Sequence, residues 1–270
     1  MNATKFPRLP IVVVSAVSSI AIISYVSPLG AQPSSGQLGG GNAPLSNQKS
    51  PDFSGDGRPG DRTGGGSRTP CPRISAPFTT ALIPMNNLGK TVSERPTFWF
   101  YVPYSPQAAP AGEFVLQEEN GNEVYRTAFT LPATPGFVSF STPLAVEPLK
   151  VNKLYRWYFK LYCKQQKSST PVFVEGWVQR VETTPALERQ LQTARSREDI
   201  VYAANGIWYD ALNYLAQSRL NNPSNSMLAD DWTNLLSAKG VDLEQFTQVP
   251  IVGEVILQPL VGNQQPKLNR

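Results

Sequence analysis

Tyr155-Arg156-Trp157-Tyr158-Phe159-Lys160-Leu161-Tyr162-Cys163 alternates without a break. Tyr155, Trp157, Phe159, Leu161 and Cys163 fall on one side, and Arg156, Tyr158, Lys160 and Tyr162 fall on the other. Period two over this length marks a β-strand with one buried and one wetter face. Outward from it, strands are expected at Thr97 to Val102, Glu113 to Gln117, Glu123 to Phe129, Phe137 to Ser141 and Val172 to Val181. Asn120-Gly121-Asn122 and Pro135-Gly136 supply the turn chemistry between them. Six or seven short strands in about 110 residues, with no helix between them, predict an antiparallel β-sandwich of immunoglobulin or fibronectin type. It is assigned to residues 71–183. Tyr155, early in a late strand and behind a polar turn, is a candidate tyrosine corner.

From Thr184 the period lengthens to that of helices. Thr184 ahead of Pro185 reads as an N-cap with Pro at the first helical position, and Leu187 with Leu191 starts an apolar face. Ser196 with Asp199 gives a second capping signal, and Gly206 ends the helix it opens. Trp208, Ala211, Leu212 and Leu215 share one face of the next helix; Leu228, Trp232, Leu235 and Leu236 share one face of another, which Gly240 closes. Tyr202, Gly206, Trp208, Ala211, Leu215 and Pro223 have the spacing of one degenerate tetratricopeptide unit. Generic amphipathic helices have the same period. The class is therefore α+β: a sandwich followed by a helical hairpin region at 184–245 docked on it, then a tail at 246–270.

At the other end, Lys5 and Arg8 precede an uncharged apolar run from Ile11 to Val26, and Ser27-Pro28-Leu29-Gly30-Ala31 follows. That order predicts a secretory signal peptide over residues 1–31, cut after Ala31. A membrane anchor would need roughly 20 apolar residues, more than this run supplies. Residues 32–70 hold ten of the chain's 20 Gly and almost no large apolar side chain, so they read as a disordered linker. A phosphate loop at Gly64-Gly65-Gly66-Ser67 would require a following Gly-Lys-Ser/Thr and a preceding strand. The sequence supplies neither.

Export carries charge and redox consequences. The whole chain has 24 Lys and Arg against 20 Asp and Glu, and loss of Lys5 and Arg8 leaves it near neutral. No basic stripe interleaved with aromatics is visible, so no nucleic-acid partner is expected. No membrane span is expected after cleavage. The two Cys, Cys71 and Cys163, read as a disulfide, because an even count in an exported chain favours pairing over a redox or nucleophilic role. With no His in the chain, a Ser-His-Asp triad, a Cys-His pair and His-ligated metal sites are excluded. No cofactor, metal or catalytic residue is assigned.

Carboxylate chemistry of the glycosidase kind is what remains for an enzyme, with Glu94, Glu175 and Asp210 in aromatic surroundings. The favoured reading is that Glu94 and Glu175 face solvent on strand edges and Asp210 lies on the polar side of its helix, because a charged residue at such spacing is usually just solvated. Trp177 and Tyr158 are the candidate ligand-contact aromatics. Trp99, Trp157, Trp208 and Trp232 read with Trp177 as core and interface anchors.

Gly64 to Cys71, Leu82 to Pro84, Ser93 to Pro103, Tyr155 to Phe159, Glu175 to Val181 and Tyr202 to Leu212 together resemble the domain-of-unknown-function family 928, found mostly in cyanobacteria. The likeness runs from about residue 64 to 245. It implies the architecture above and brings no activity with it. Two functional classes are expected: a non-enzymatic binding or scaffold protein of the periplasm or cell surface with a protein partner, and a carbohydrate-directed protein, either a polysaccharide-binding module or a carboxylate-dependent hydrolase.

Overall fold

The computed structural model describes residues 50–64, 71–164 and 170–258. The expected signal peptide lies outside the described residues, as do 32–49 and 65–70 of the expected linker. Among the described residues eleven strands and four α-helices form an α+β fold with two mixed sheets. One sheet runs β1 (Thr63–Gly64), β2 (Thr79–Ala81), β4 (Thr97–Val102), β7 (Gly136–Ser141) and β10 (Ile251–Glu254). The other runs β11 (Ile256–Leu257), β6 (Glu123–Thr130), β5 (Ala111–Glu118), β8 (Leu154–Tyr162), β9 (Val172–Arg180) and β3 (Leu88–Thr91).

The expectation of purely antiparallel pairing is corrected at two edges. β3 lies parallel to β9 and β10 lies parallel to β7, while the pairs between them are antiparallel. Both parallel strands are short and lie in segments without a clean alternating pattern, which is why periodicity did not mark them.

β8 shows the alternation in full: Tyr155, Trp157, Phe159 and Leu161 are buried, and the residues between them are half-buried. The inner faces of β8 and its neighbour β5 meet β4 and β7 through stacked rings. Phe100 lies on Phe159 with centroids 4.0 Å apart, and Phe114 lies on Phe140 at 3.9 Å. Each such ring removes a large apolar area from water and adds a preferred aromatic geometry. The Lys150 amide donates to the Tyr155 hydroxyl at 3.0 Å.

α1 (Pro185–Thr193), α2 (Glu198–Ala204), α3 (Trp208–Asn221) and α4 (Ser226–Leu236) follow the sheets. The Thr184 hydroxyl caps α1 by accepting the Leu187 amide at 3.2 Å. Ser196 does not cap α2; Arg197 stands at that position and Asp199 is buried instead. Gly206 takes φ +70° where α2 turns into α3, as a left-handed terminator must. Gly240 does not end α4, which stops at Leu236; a Cβ on Gly240 would meet the Ser54 amide nitrogen at 2.5 Å.

That contact exposes a second correction. Residues 50–64, expected within the linker, pack on the fold: Phe53 is buried edge-on to Trp208 at 4.9 Å, and Thr63–Gly64 pairs with β2. The Arg62 guanidinium donates to the carbonyls of Ile83 at 3.1 Å and Asp242 at 2.9 Å. Glycine content hid this segment, because Gly57 and Gly60 are used for close approach to Asn86 and Asn87 rather than for looseness. Likewise residues 246–258, expected in the tail, hold the buried Phe246 and strands β10 and β11.

Cys71 and Cys163 are bonded, with Cα atoms 4.9 Å apart and 92 residues between them in sequence number. A loop of that length constrains the unfolded chain by about 4 to 5 kcal/mol on the entropic account. Replacing both with Ala is expected to lower the unfolding free energy by several kcal/mol in urea titration, with the slope increased as the unfolded chain expands. An unchanged midpoint would contradict this.

Candidate functional site

Four of the five Trp indoles donate to partners far away in sequence. Trp99 reaches the Asn213 side-chain oxygen at 3.2 Å, Trp157 the Tyr209 hydroxyl at 2.8 Å, Trp177 the Pro59 carbonyl at 2.9 Å and Trp208 the Leu82 carbonyl at 2.8 Å. Three of these bonds tie α3 to the sheets and the segment between β2 and β3. They also bring the first turn of α3 against the end of β3, where a cavity of about 190 Å³ opens between the β3–β4 turn and helices α2 and α3.

Asp210 stands in its wall. One carboxylate oxygen accepts the Val92 amide at 3.1 Å, and the Thr91 hydroxyl and Ser93 amide also face the group. Burial pushes its pKa up to about 6, and those hydrogen bonds only partly oppose the shift. Tyr202 from α2 and Tyr214 from α3 line the same cavity. Burial raises the Tyr202 phenol, and Asp210 and Glu198 raise it further. Burial and then Glu198 push Tyr214 up to about 12. Arg95 also contributes to the lining, while its guanidinium is held by the Val146 carbonyl at 3.0 Å and by Glu94 at 3.7 Å.

The three carboxylates raised by sequence are not gathered. Glu94 is exposed and paired with Arg180 at 3.1 Å. Glu175 is buried, and Arg156 donates to both of its oxygens at 2.6 and 2.7 Å. Only Asp210 lines the cavity; it lies on the polar side of α3, away from the buried Ala211, Leu212 and Leu215, and its i+3 and i+4 neighbours Asn213 and Tyr214 line the same space. That helical spacing is the signal that would have found the site; it was passed over because a lone Asp in an apolar helix reads as solvated.

Trp177 and Tyr158 do not reach this cavity. Trp177 is buried with its indole bonded to Pro59, and the Arg156 guanidinium lies over both rings, 5.0 Å from Tyr158 and 5.6 Å from Trp177. The Lys160 ammonium lies 5.6 Å from the Tyr158 ring as well. Both rings thus make cation–π contacts with Arg156 beside its pair with Glu175; Trp177 is buried and Tyr158 half-buried. No group of His, Cys, Asp and Glu that could hold a metal occurs among the described residues.

A family model described as Domain of Unknown Function (DUF928) matches residues 63–251, which hold β1 to β9 and all four helices. The chain belongs to the DUF928 family. No curated protein matches the sequence. The DUF928 region contains the cavity, the disulfide and the Trp-anchored helices together.

Asp210 makes stability depend on pH with a definite sign. Its ordinary pKa is 3.8 and its folded value about 6, so between these the folded chain holds more protons than the unfolded one. Stability from this group therefore falls as pH rises from about 4 to 6 and is flat above. Asp210→Asn is expected to remove that fall while matching wild type at low pH. Thermal unfolding from pH 4 to 8 checks it; parallel curves for the two proteins would contradict the assignment.

Proposed function

We propose that the protein is an exported, non-enzymatic binding module of the cell envelope, a DUF928 domain that engages its partner through the cavity at Asp210. The observation that carries this reading is a single carboxylate in that cavity on a scaffold stapled across 92 positions of sequence. Hydrolysis of a glycosidic bond takes two carboxyl groups set about 5 to 10 Å apart across the bond. Here Glu94 and Glu175 are held elsewhere by Arg180 and Arg156. A disulfide fits an oxidising compartment, and the basic and apolar order of residues 1–31 fits export to the periplasm or cell surface.

In this reading the sheets are a sandwich of immunoglobulin or fibronectin type with added edges. The Tyr155 to Lys150 bond supports it, as does the antiparallel pairing of the central strands. Helices α2 and α3 act as one degenerate tetratricopeptide hairpin, supported by the Gly206 turn and by Ala211 buried between them. The carbohydrate-directed alternative keeps one observation in its favour: tyrosines and polar groups line a space of ring size. As a binding module it needs no second acid.

The test is affinity capture from the organism's own envelope fraction, comparing wild type with Ser93→Trp, which fills the cavity from the β3–β4 turn. The expected result is a partner retained by wild type and lost by the variant, with no new reducing ends released from envelope polysaccharide. Turnover of polysaccharide, or equal retention by both proteins, would overturn the proposal.

A further inference from the structure

We infer that the Asp210 cavity is a binding site for a primary ammonium group carried on a small molecule. The inference rests on the binding-module reading and gives it a ligand chemistry. Three features of the walls lead to it. First, Asp210 pairs with no Lys or Arg among the ion pairs of the described residues, although partly enclosed groups of this kind are elsewhere in the fold matched by Arg156 or Arg197. A carboxylate in a poorly hydrated wall without a counter-ion is a charge left for a ligand to neutralise.

Second, the surroundings of that charge are anionic and aromatic. Tyr202 lies within the influence of both Asp210 and Glu198, and Glu198 neighbours the Tyr214 hydroxyl. Ring faces attract a cation, and more strongly where water is thinned. Glu198 Oε2, near both tyrosines, is buried without a hydrogen-bond partner among the described residues. One cation, Arg95, also lines the cavity; Glu94 and the Val146 carbonyl engage the ends of its guanidinium, and its Nε has no hydrogen-bond partner among the described residues. An anionic ligand would meet the carboxylate of Asp210 in the same wall. A neutral sugar would leave the carboxylate uncompensated.

Third, the lining carries acceptors for an ammonium. A primary ammonium has three N–H groups. Asp210, the Ser93 hydroxyl and the Asn213 side-chain oxygen line the space, and the last is held in place by the Trp99 indole. The volume of about 190 Å³ has room for one ring or a short alkyl chain. The neighbours facing Asp210 are Thr91, Val92 and Ser93 from the end of β3, Tyr202 from α2, and Asn213 and Tyr214 from α3; of these only the tyrosines titrate, and both do so well above neutrality.

The test is calorimetric titration of the full-length chain, disulfide intact, with glucosamine, glucose, butylammonium chloride and sodium acetate. Both ammonium probes are expected to saturate, with glucose and acetate at least tenfold weaker. Glucosamine binding tighter than butylammonium would identify an amino sugar as the source, and the reverse order an alkyl amine. Binding should weaken as pH falls below about 6, approaching tenfold per pH unit, because the protonated Asp210 no longer attracts the cation. Asp210→Asn should lose at least tenfold, and Tyr202→Leu, which leaves the carboxylate in place, should lose severalfold.

Equal binding of glucose and glucosamine, an Asp210→Asn variant that binds as wild type, or no saturation by either ammonium probe would overturn the inference. Competition separates this from the broader reading. If an envelope partner is captured through the cavity and ammonium probes fail to displace it, the ligand class is wrong while the binding module stands. If no partner depends on the cavity, the binding module itself is wrong.

Discussion

The Tyr209 hydroxyl accepts the Trp157 indole N–H at 2.8 Å and donates to the Trp177 carbonyl at 3.0 Å, so one buried phenol joins α3 to two adjacent strands of the six-stranded sheet. Its ring needs Gly89: a Cβ there would stand 2.5 Å from the Tyr209 Cε2. Phe98 from the opposite sheet meets the ring edge-on at 5.2 Å. Burial raises the phenol's pKa and keeps it a neutral donor. Losing either hydrogen bond would strand a buried polar group, a cost of about 1 to 3 kcal/mol.

The rest of the site follows from that anchor. With Tyr209 locked, the next residue on α3 is Asp210, which is delivered to the amide of Val92 at the end of β3. One turn on, Asn213 takes the Trp99 indole from the five-stranded sheet. The first turns of α3 are thereby fixed against both sheets, and the cavity between α2, α3 and the β3–β4 turn inherits their rigidity. Its walls are set by packing, which is the condition under which a small ligand can be read by a few polar groups. Phe53 and the segment after it close over Trp208 from the far side, so residues outside the alternating core contribute to the same anchor.

Much of this was legible from the residues. The alternation from Tyr155 to Cys163 carried the strand, its buried face and the partner of Cys71, because period two and burial are one physical fact. The apolar stripes placed Trp208 and Trp232 inside, where both are buried. What escaped was non-local. β1, β2, β3, β10 and β11 are four residues long or shorter, and pairing rather than propensity makes them strands. Gly57 and Gly60 read locally as disorder but act as clearance. Asp210 was noticed and set aside, because its enclosure depends on Thr91, Val92 and Ser93 more than a hundred positions away. Trp177 and Tyr158 looked like open platforms since nothing local shows that Arg156 covers them.

The account turns on whether the Tyr209 bonds hold α3 to the sheet, and a double-mutant cycle measures that coupling directly. Unfolding free energies of wild type, Tyr209→Phe, Trp157→Phe and the double variant isolate the pair from the packing each ring provides. The account predicts a coupling of about 1 kcal/mol or more, with the two single losses failing to add. Additive losses with no coupling would show that the helix is held by apolar burial alone and that the cavity has no hydrogen-bonded anchor.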